Sequence, residues 1–384
     1  MNSEEFPVVV LKKFLVFFQE NKQKGETSTK MRTLIATIFV FGLLVFVHEF
    51  GHFISAKLVG IKVFEFSLGF GPKLLSFARH ETNYRLRLLP LGGFVRLAGM
   101  EDETSKKDKE SSSKKKEDEK YTAEESFRNK SIFKRGLVLC AGSIMNLLLA
   151  VIIFAFVLSI QGVPQKPTTT IGEVMENSSS EKAGLLPGDK IILVDGRKIK
   201  EWNEAVAIIS QSQNHVVVVN RRGTEKTFMV SAEKNKEGKY KIGVLSLFEY
   251  EKLSPAKALI EAGKYTSVIS YAIFDYLYQA ICGNEKLELG GPVRIAHESG
   301  RAASLGIFSL LQFTAFVSIN LGLFNLFPIP ALDGGHLLFL GIERIRKRPV
   351  NVKTEYYFNY VGFQLLIIFA ILITVFDVAK IVKF

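Results

Sequence analysis

Four long apolar stretches, nearly free of charge, dominate the chain: roughly 33–55, 136–160, 307–340 and 361–376. A helix needs about 20 consecutive apolar residues to cross a bilayer core. The first three stretches meet that length. The fourth is extended by Tyr356, Tyr357, Phe358 and Tyr360, aromatic residues of the kind that settle at a membrane–water boundary. One such run fits a buried core helix. Four in one chain predict a polytopic α-helical membrane protein with about four transmembrane helices, and hence the lipid bilayer as a partner.

The formal net charge of +12 raises nucleic acid as a partner, but the distribution of the charge argues for none. The basic residues flank the apolar runs, as the positive-inside rule predicts. The loops 56–135 and 343–353 are dense in Lys and Arg and are expected in the cytoplasm. The segment 168–250 then lies outside. The basic tail 1–32 points the other way, and two loops outweigh one tail. Two cysteines, Cys140 and Cys282, imply neither a disulfide framework nor a cysteine metal site.

In chain order, residues 1–32 form an N-terminal extension in which Pro7–Phe18 reads as a short interfacial helix. The first transmembrane helix spans 33–58. A β-rich region follows over 59–100, where "NYRLRLLPLGGFVRL" alternates polar and apolar residues over 83–88 and turns at Gly92-Gly93. Residues 101–124 are Lys, Glu, Asp and Ser with almost nothing to bury, which predicts a disordered insert. The second transmembrane helix lies within 125–160. Residues 168–250 are mixed and β-rich, with turns at "LLPGDK" and "VDGRK", and form a compact domain. Residues 251–306 are amphipathic and are expected on the membrane surface. The third transmembrane helix occupies 307–345, interrupted by Pro328 and Pro330, and the fourth 355–378.

The first run contains "HEFGH", residues 48–52. Positions four apart on a helix lie on one face, one turn along. His48 and His52 therefore point the same way and suit a single Zn²⁺, with Glu49 beside them as a base for a metal-bound water. Each ionisable group at the centre of a span costs about 2.5–3.5 kcal/mol on insertion scales, so three together ask for a functional reason. Two satisfied core histidines beside a buried glutamate is the bland alternative, and the membrane setting disfavours it.

A catalytic zinc takes three protein ligands and leaves one position open. "NLFPIPALDGGHL", residues 325–337, sets Asp333 in an apolar run just after two helix-breaking prolines. Asp333 is the preferred third ligand and His336 the competitor. The geometry demands two membrane crossings between His48 and Asp333, which the second and third spans supply. Were 264–282 to cross as well, Asp333 would land on the opposite face. His₂Asp ligation also suits other divalent ions.

These motifs resemble the site-2 intramembrane zinc metalloproteases, of the bacterial type that cleaves anti-sigma factors. "HEFGH" fits that family's zinc motif and "NLFPIPALDGG" its second motif. "SLGFGP" (67–72) and "LPLGGFVRL" (89–97) are similar to its membrane re-entrant β-sheet, and "SFRNKSIFKR" (126–135) and "GGPVRIA" (290–296) to further family segments. "AGSIMN" (141–146) departs from it, with Ser143 where proline is usual. Residues 168–250 resemble a PDZ domain, the match lying in 170–199. The resemblance implies regulated intramembrane proteolysis in a bacterial cell membrane. Glu49 would be catalytic, and His48, His52 and Asp333 would hold zinc. Asn325, Pro328 and Pro330 would contact substrates that are single-span membrane proteins. The active site would face the cytoplasm, and the PDZ domain would lie outside, touching a peptide or ectodomain. The alternatives are an inactive membrane-anchored PDZ scaffold and a zinc transporter or sensor.

Overall fold

The computed structural model describes residues 26–100, 121–175, 177–234, 238–284 and 290–382. The expected interfacial helix at Pro7–Phe18 and most of the charged insert at 101–124 lie outside these residues. The chain divides into two compact units, one made of residues up to Val157 and from Lys257 onward, the other of Leu158–Ala256.

In the first unit, helix α1 spans Glu26–Leu58. It starts earlier than residue 33 because nothing in Glu26–Arg32 breaks a helix, and Gly25 precedes it. Strands β1 (Val63–Arg79) and β2 (Thr82–Leu97) follow. Gly69 and Gly71, both at φ +86°, bend β1 into two halves. Ser67 consequently pairs with Phe94 on one side and Arg85 on the other. The two strands so make a small folded-over sheet. Glu65, 4% exposed, sits inside it and bonds the guanidinium groups of Arg85 and Arg87 on the neighbouring strand segment.

Helix α2 (Ile132–Gln161) leads into the second unit. There β3 (Val163–Val174), α3 (Ser179–Ala183), β4 (Lys190–Val194), β5 (Arg197–Lys198), α4 (Trp202–Ile209), β6 (Asn214–Arg221), β7 (Thr224–Ser231), β8 (Glu233–Lys234), β9 (Tyr240–Lys241) and β10 (Val244–Glu251) follow in order. The main antiparallel sheet has the order β10-β3-β4-β6-β7, with β5 on β4. Its core gathers Ile171, Leu185, Ile191, Val194, Val217 and Val219, and Trp202 packs against it. Asp189, 1% exposed, takes two 2.7 Å bonds from Arg221 and one from the Leu186 amide, which fixes the "PGDK" turn.

The first unit resumes with α5 (Pro255–Ile281), α6 (Pro292–Ser304), α7 (Ile307–Asn325), α8 (Asp333–Arg346) and α9 (Val352–Val382). The expected third transmembrane helix at 307–345 is thus two helices. Pro328 and Pro330 lack amide hydrogens and cannot continue α7, so a loop intervenes before α8 begins at Asp333. Among the described residues four helical segments are long and apolar enough to cross a membrane: Lys30–Leu58, Ile132–Gln161, Ile307–Asn325 and Val352–Asp377. Helix α5 is not among them. The α2 and α7 segments are 39% and 44% buried and form the centre. The α9 segment is 6% buried and offers its apolar surface outward.

Candidate metal centre

The site lies where α1, α2 and the first turn of α8 meet. His48 and His52 project from one face of α1, their ring centroids 4.8 Å apart. Their Nε2 atoms stand 3.2 Å from each other. Asp333 Oδ2 lies 3.2 Å from His48 Nε2 and 3.3 Å from His52 Nε2. It is buried, and despite those distances it makes no hydrogen bond of acceptable angle. The two Nε2 atoms are within hydrogen-bonding distance of each other, and the unpartnered Oδ2 completes a triangle with them.

That triangle fits a metal. A tetrahedral ion with bonds of about 2.0–2.2 Å to nitrogen and oxygen separates its ligand atoms by about 3.3 Å. The observed edges are 3.2, 3.2 and 3.3 Å. Among the described residues His48, His52 and Asp333 are the group of His, Cys, Asp and Glu side chains that could hold an ion.

Local sequence explains how Asp333 arrives. The Pro328–Leu332 loop folds back over the start of α8. A side chain on Gly334 would run into the Phe327 carbonyl, and one on Gly335 would come within 2.6 Å of the Ile329 oxygen. The glycine pair after Asp333 permits that close turn. The loop is then pinned by Asn359 of α9, whose Oδ1 accepts from the Ala331 amide at 3.1 Å. The far end of α8 is tied to α2 by the two bonds of Arg135 to Glu343, at 2.9 and 2.5 Å.

His336 goes elsewhere. Its Nδ1 meets Glu355 Oε1 at 3.0 Å and its Nε2 lies 3.5 Å from Asn359. It braces α8 against α9 and does not join the triangle. Of the other histidines, His80 sits at the turn between β1 and β2 with φ +56°, His215 lies in the second unit, and His297 is exposed on α6. Asn325, at the end of α7, places its amide nitrogen 3.5 Å from His48 Nε2. Pro328 and Pro330 lie in the loop that carries Asp333. Glu49 faces the folded-over sheet: a side chain on Gly93 would lie 2.9 Å from its Cγ.

Helix α2 contributes groups the sequence reading passed over. The Val138 carbonyl lies 2.8 Å from His52 Nδ1, and the Asn146 side chain 3.3 Å from His48 Nδ1. Asn146 was legible only as a polar residue in an apolar run. A backbone carbonyl leaves no trace in sequence at all.

Comparison with known proteins places the chain in a family. The model of peptidase family M50 matches residues 36–369. The regulator of sigma-W protease RasP of Bacillus subtilis is 32% identical over 418 residues, covering 91% of this chain and 99% of that protein. The zinc metalloprotease RasP of Geobacillus kaustophilus is 32% identical over 416 residues, covering 91% and 98%. Among solved structures, the PDZ domain of an SdrC-like protein from Listeria innocua matches 22% of this chain and 98% of its own length, at 20% identity and a TM-score of 0.20. With the family model extending over most of its length and both RasP proteins aligned nearly end to end, the chain belongs to peptidase family M50.

Proposed function

We propose that this zinc metalloprotease hydrolyses a peptide bond in or beside the transmembrane segment of single-span membrane proteins, with His48, His52 and Asp333 as metal ligands and Glu49 as general base. The observation that carries the reading is the triangle of Nε2, Nε2 and Oδ2 atoms, whose edges match those of a tetrahedral ion.

Zinc held there would polarise a scissile carbonyl and make a water acidic near neutral pH. With the metal bound, Glu49 would be the base that takes a proton from the attacking water and returns it to the leaving amine. A helical substrate hides its carbonyls in hydrogen bonds and has to unwind before it can be cut. The segment Gly93–Leu97 of β2 pairs with the first half of β1, and no other described strand pairs with it. It runs beside Glu49 and offers an edge on which an extended peptide is held by strand addition. Asn325 and the Pro328–Pro330 backbone close on the peptide from the opposite side.

The protein is a multi-pass protein of a bacterial cell membrane, with its active site toward the cytoplasm and Leu158–Ala256 outside. That unit is a PDZ domain acting as a size filter against bulky ectodomains. Anti-sigma factors and signal-peptide remnants are the substrate classes that fit. Cleavage of a panel of single-span substrates, with and without chelator, tests this. Chelation is expected to stop cleavage and added zinc to restore it. Removal of 170–250 is expected to extend cleavage to substrates with intact ectodomains. Chelator-resistant cleavage would end the metal mechanism, and unchanged selectivity would end the filter.

A further inference from the structure

The two histidines on α1 are matched by three positions on α2. Val138, Gly142 and Asn146 follow one another at intervals of four and so line one face of α2 over two turns. Val138 stands against His52, and Asn146 against His48. Gly142 comes between them, and any side chain there would collide with both imidazoles. One helix thus presents the ligands while its neighbour presents the groups behind them.

The consequence concerns tautomers. A carbonyl only accepts, so the Val138 contact requires His52 to carry its proton on Nδ1. Its Nε2 then presents a lone pair to the triangle, where His48 Nε2 lies 3.2 Å away. His48 needs the same arrangement to ligate through Nε2. As placed, the Asn146 amide presents Nδ2 to His48 Nδ1 at 3.3 Å, while its Oδ1 is buried without a partner. In that orientation Nδ1 has to accept, and Nε2 carries a proton into the centre of the triangle. The two ends of an amide have nearly the same shape. Exchanging them sets the oxygen against Nδ1, gives that oxygen a donor, and bares Nε2.

We infer that Asn146 is the positioning residue for His48, accepting its Nδ1–H so that Nε2 is presented to the metal. Asn146 is fully buried, and its own backbone is held in place. Its carbonyl accepts a 2.7 Å bond from Ser318 Oγ of α7, itself fully buried. Groups of this kind fix the ring orientation of a metal-binding histidine, and their loss costs about 10–100-fold in metal affinity. The inference rests on the reading of His48, His52 and Asp333 as ligands.

The test compares Asn146→Leu, of equal size with no acceptor, with Asn146→Asp, which keeps the acceptor, in the full-length protein in detergent. Zinc affinity is read by chelator competition, and the ligand field by absorption of the Co²⁺-substituted protein. Asn146→Leu is expected to weaken zinc by about 10–100-fold and to alter the Co²⁺ spectrum. Asn146→Asp is expected to stay within a few-fold of the parent protein on both. Equal losses in the two variants, or parental zinc affinity in Asn146→Leu, would overturn the inference. If Asn146→Leu fails to fold, Asn146→Ser replaces it, since its hydroxyl is too short to reach Nδ1, with the same expected loss and the same overturning result. A parent protein that binds no zinc would instead defeat the ligand assignment beneath it.

Discussion

His52 and His215 are both buried histidines with a carboxylate close by, 8% and 2% exposed respectively, yet they are built to opposite ends. In the second unit His215 has every ring position answered. Its Nδ1 meets Asp195 Oδ2 at 2.7 Å, and its Nε2 meets the Ser212 and Ile209 carbonyls at 2.8 and 3.1 Å. Asp195 in turn accepts from the Val216 amide, so the histidine locks a turn to a strand. Ser212 Oγ lies 3.3 Å from Nε2 and completes a serine–histidine–aspartate row. Two carbonyls already occupy that nitrogen, so the row is a brace and not a nucleophile. In the membrane unit one nitrogen of His52 is answered, by Val138, and the other is aimed at His48 and Asp333. A histidine is suited to ligation where the fold satisfies one side of the ring and turns the other toward further possible ligands.

The contrast is broken most directly by Glu49→Gln. This change removes the proposed base and keeps the proposed ligands, so cleavage is expected to fall by about 10²–10⁴-fold with zinc content unchanged. Turnover of a single-span substrate and metal analysis of the same preparation decide it. Near-parental cleavage would sink the mechanism. Asp333→Ala removes one corner of the triangle, and bound zinc measured after dialysis is expected to drop well below one per chain. Retention of tight zinc would pass the third position to another group.

His215→Ala sharpens the other side. It strands buried acceptors and is expected to destabilise the second unit by about 1–3 kcal/mol without altering zinc content. The chain has a single tryptophan, Trp202, packed against that unit's core, so its fluorescence during denaturant titration reports this unfolding. Zinc loss in this variant would erase the distinction between the sites.

The smallest effect is one of pH. Burial alone would raise the Asp189 carboxyl, but the Arg221 bonds and the Leu186 amide outweigh it and hold it below its ordinary 3.8. A carboxyl depressed on folding stabilises fully above its unfolded value, and that stability is lost as pH falls through the depressed one. The Trp202 unfolding midpoint is therefore expected to decline below about pH 4, and Asp189→Asn to flatten that decline. A decline of the same slope in both proteins would remove the pair as its cause.

The sequence by itself determined the four long apolar helices and singled out the candidate ligands. Apolar length is a local property, and so is the four-residue spacing that puts His48 and His52 on one face. Asp333 stood out because a carboxylate after two prolines in an apolar run has no bland explanation in lipid. His336, three residues further on, was separable from it only by where its ring points. Only the tertiary structure decided what stands behind the ligands. The Val138 carbonyl is backbone and has no residue code. Gly142 gains its meaning only from the two rings that press against it. The doubling of β1 at Gly69 and Gly71, which sets Gly93 beside Glu49, depends on which strand segment pairs with which. Those features arise from how helices cross and strands register, and local sequence does not encode the partner on the other side.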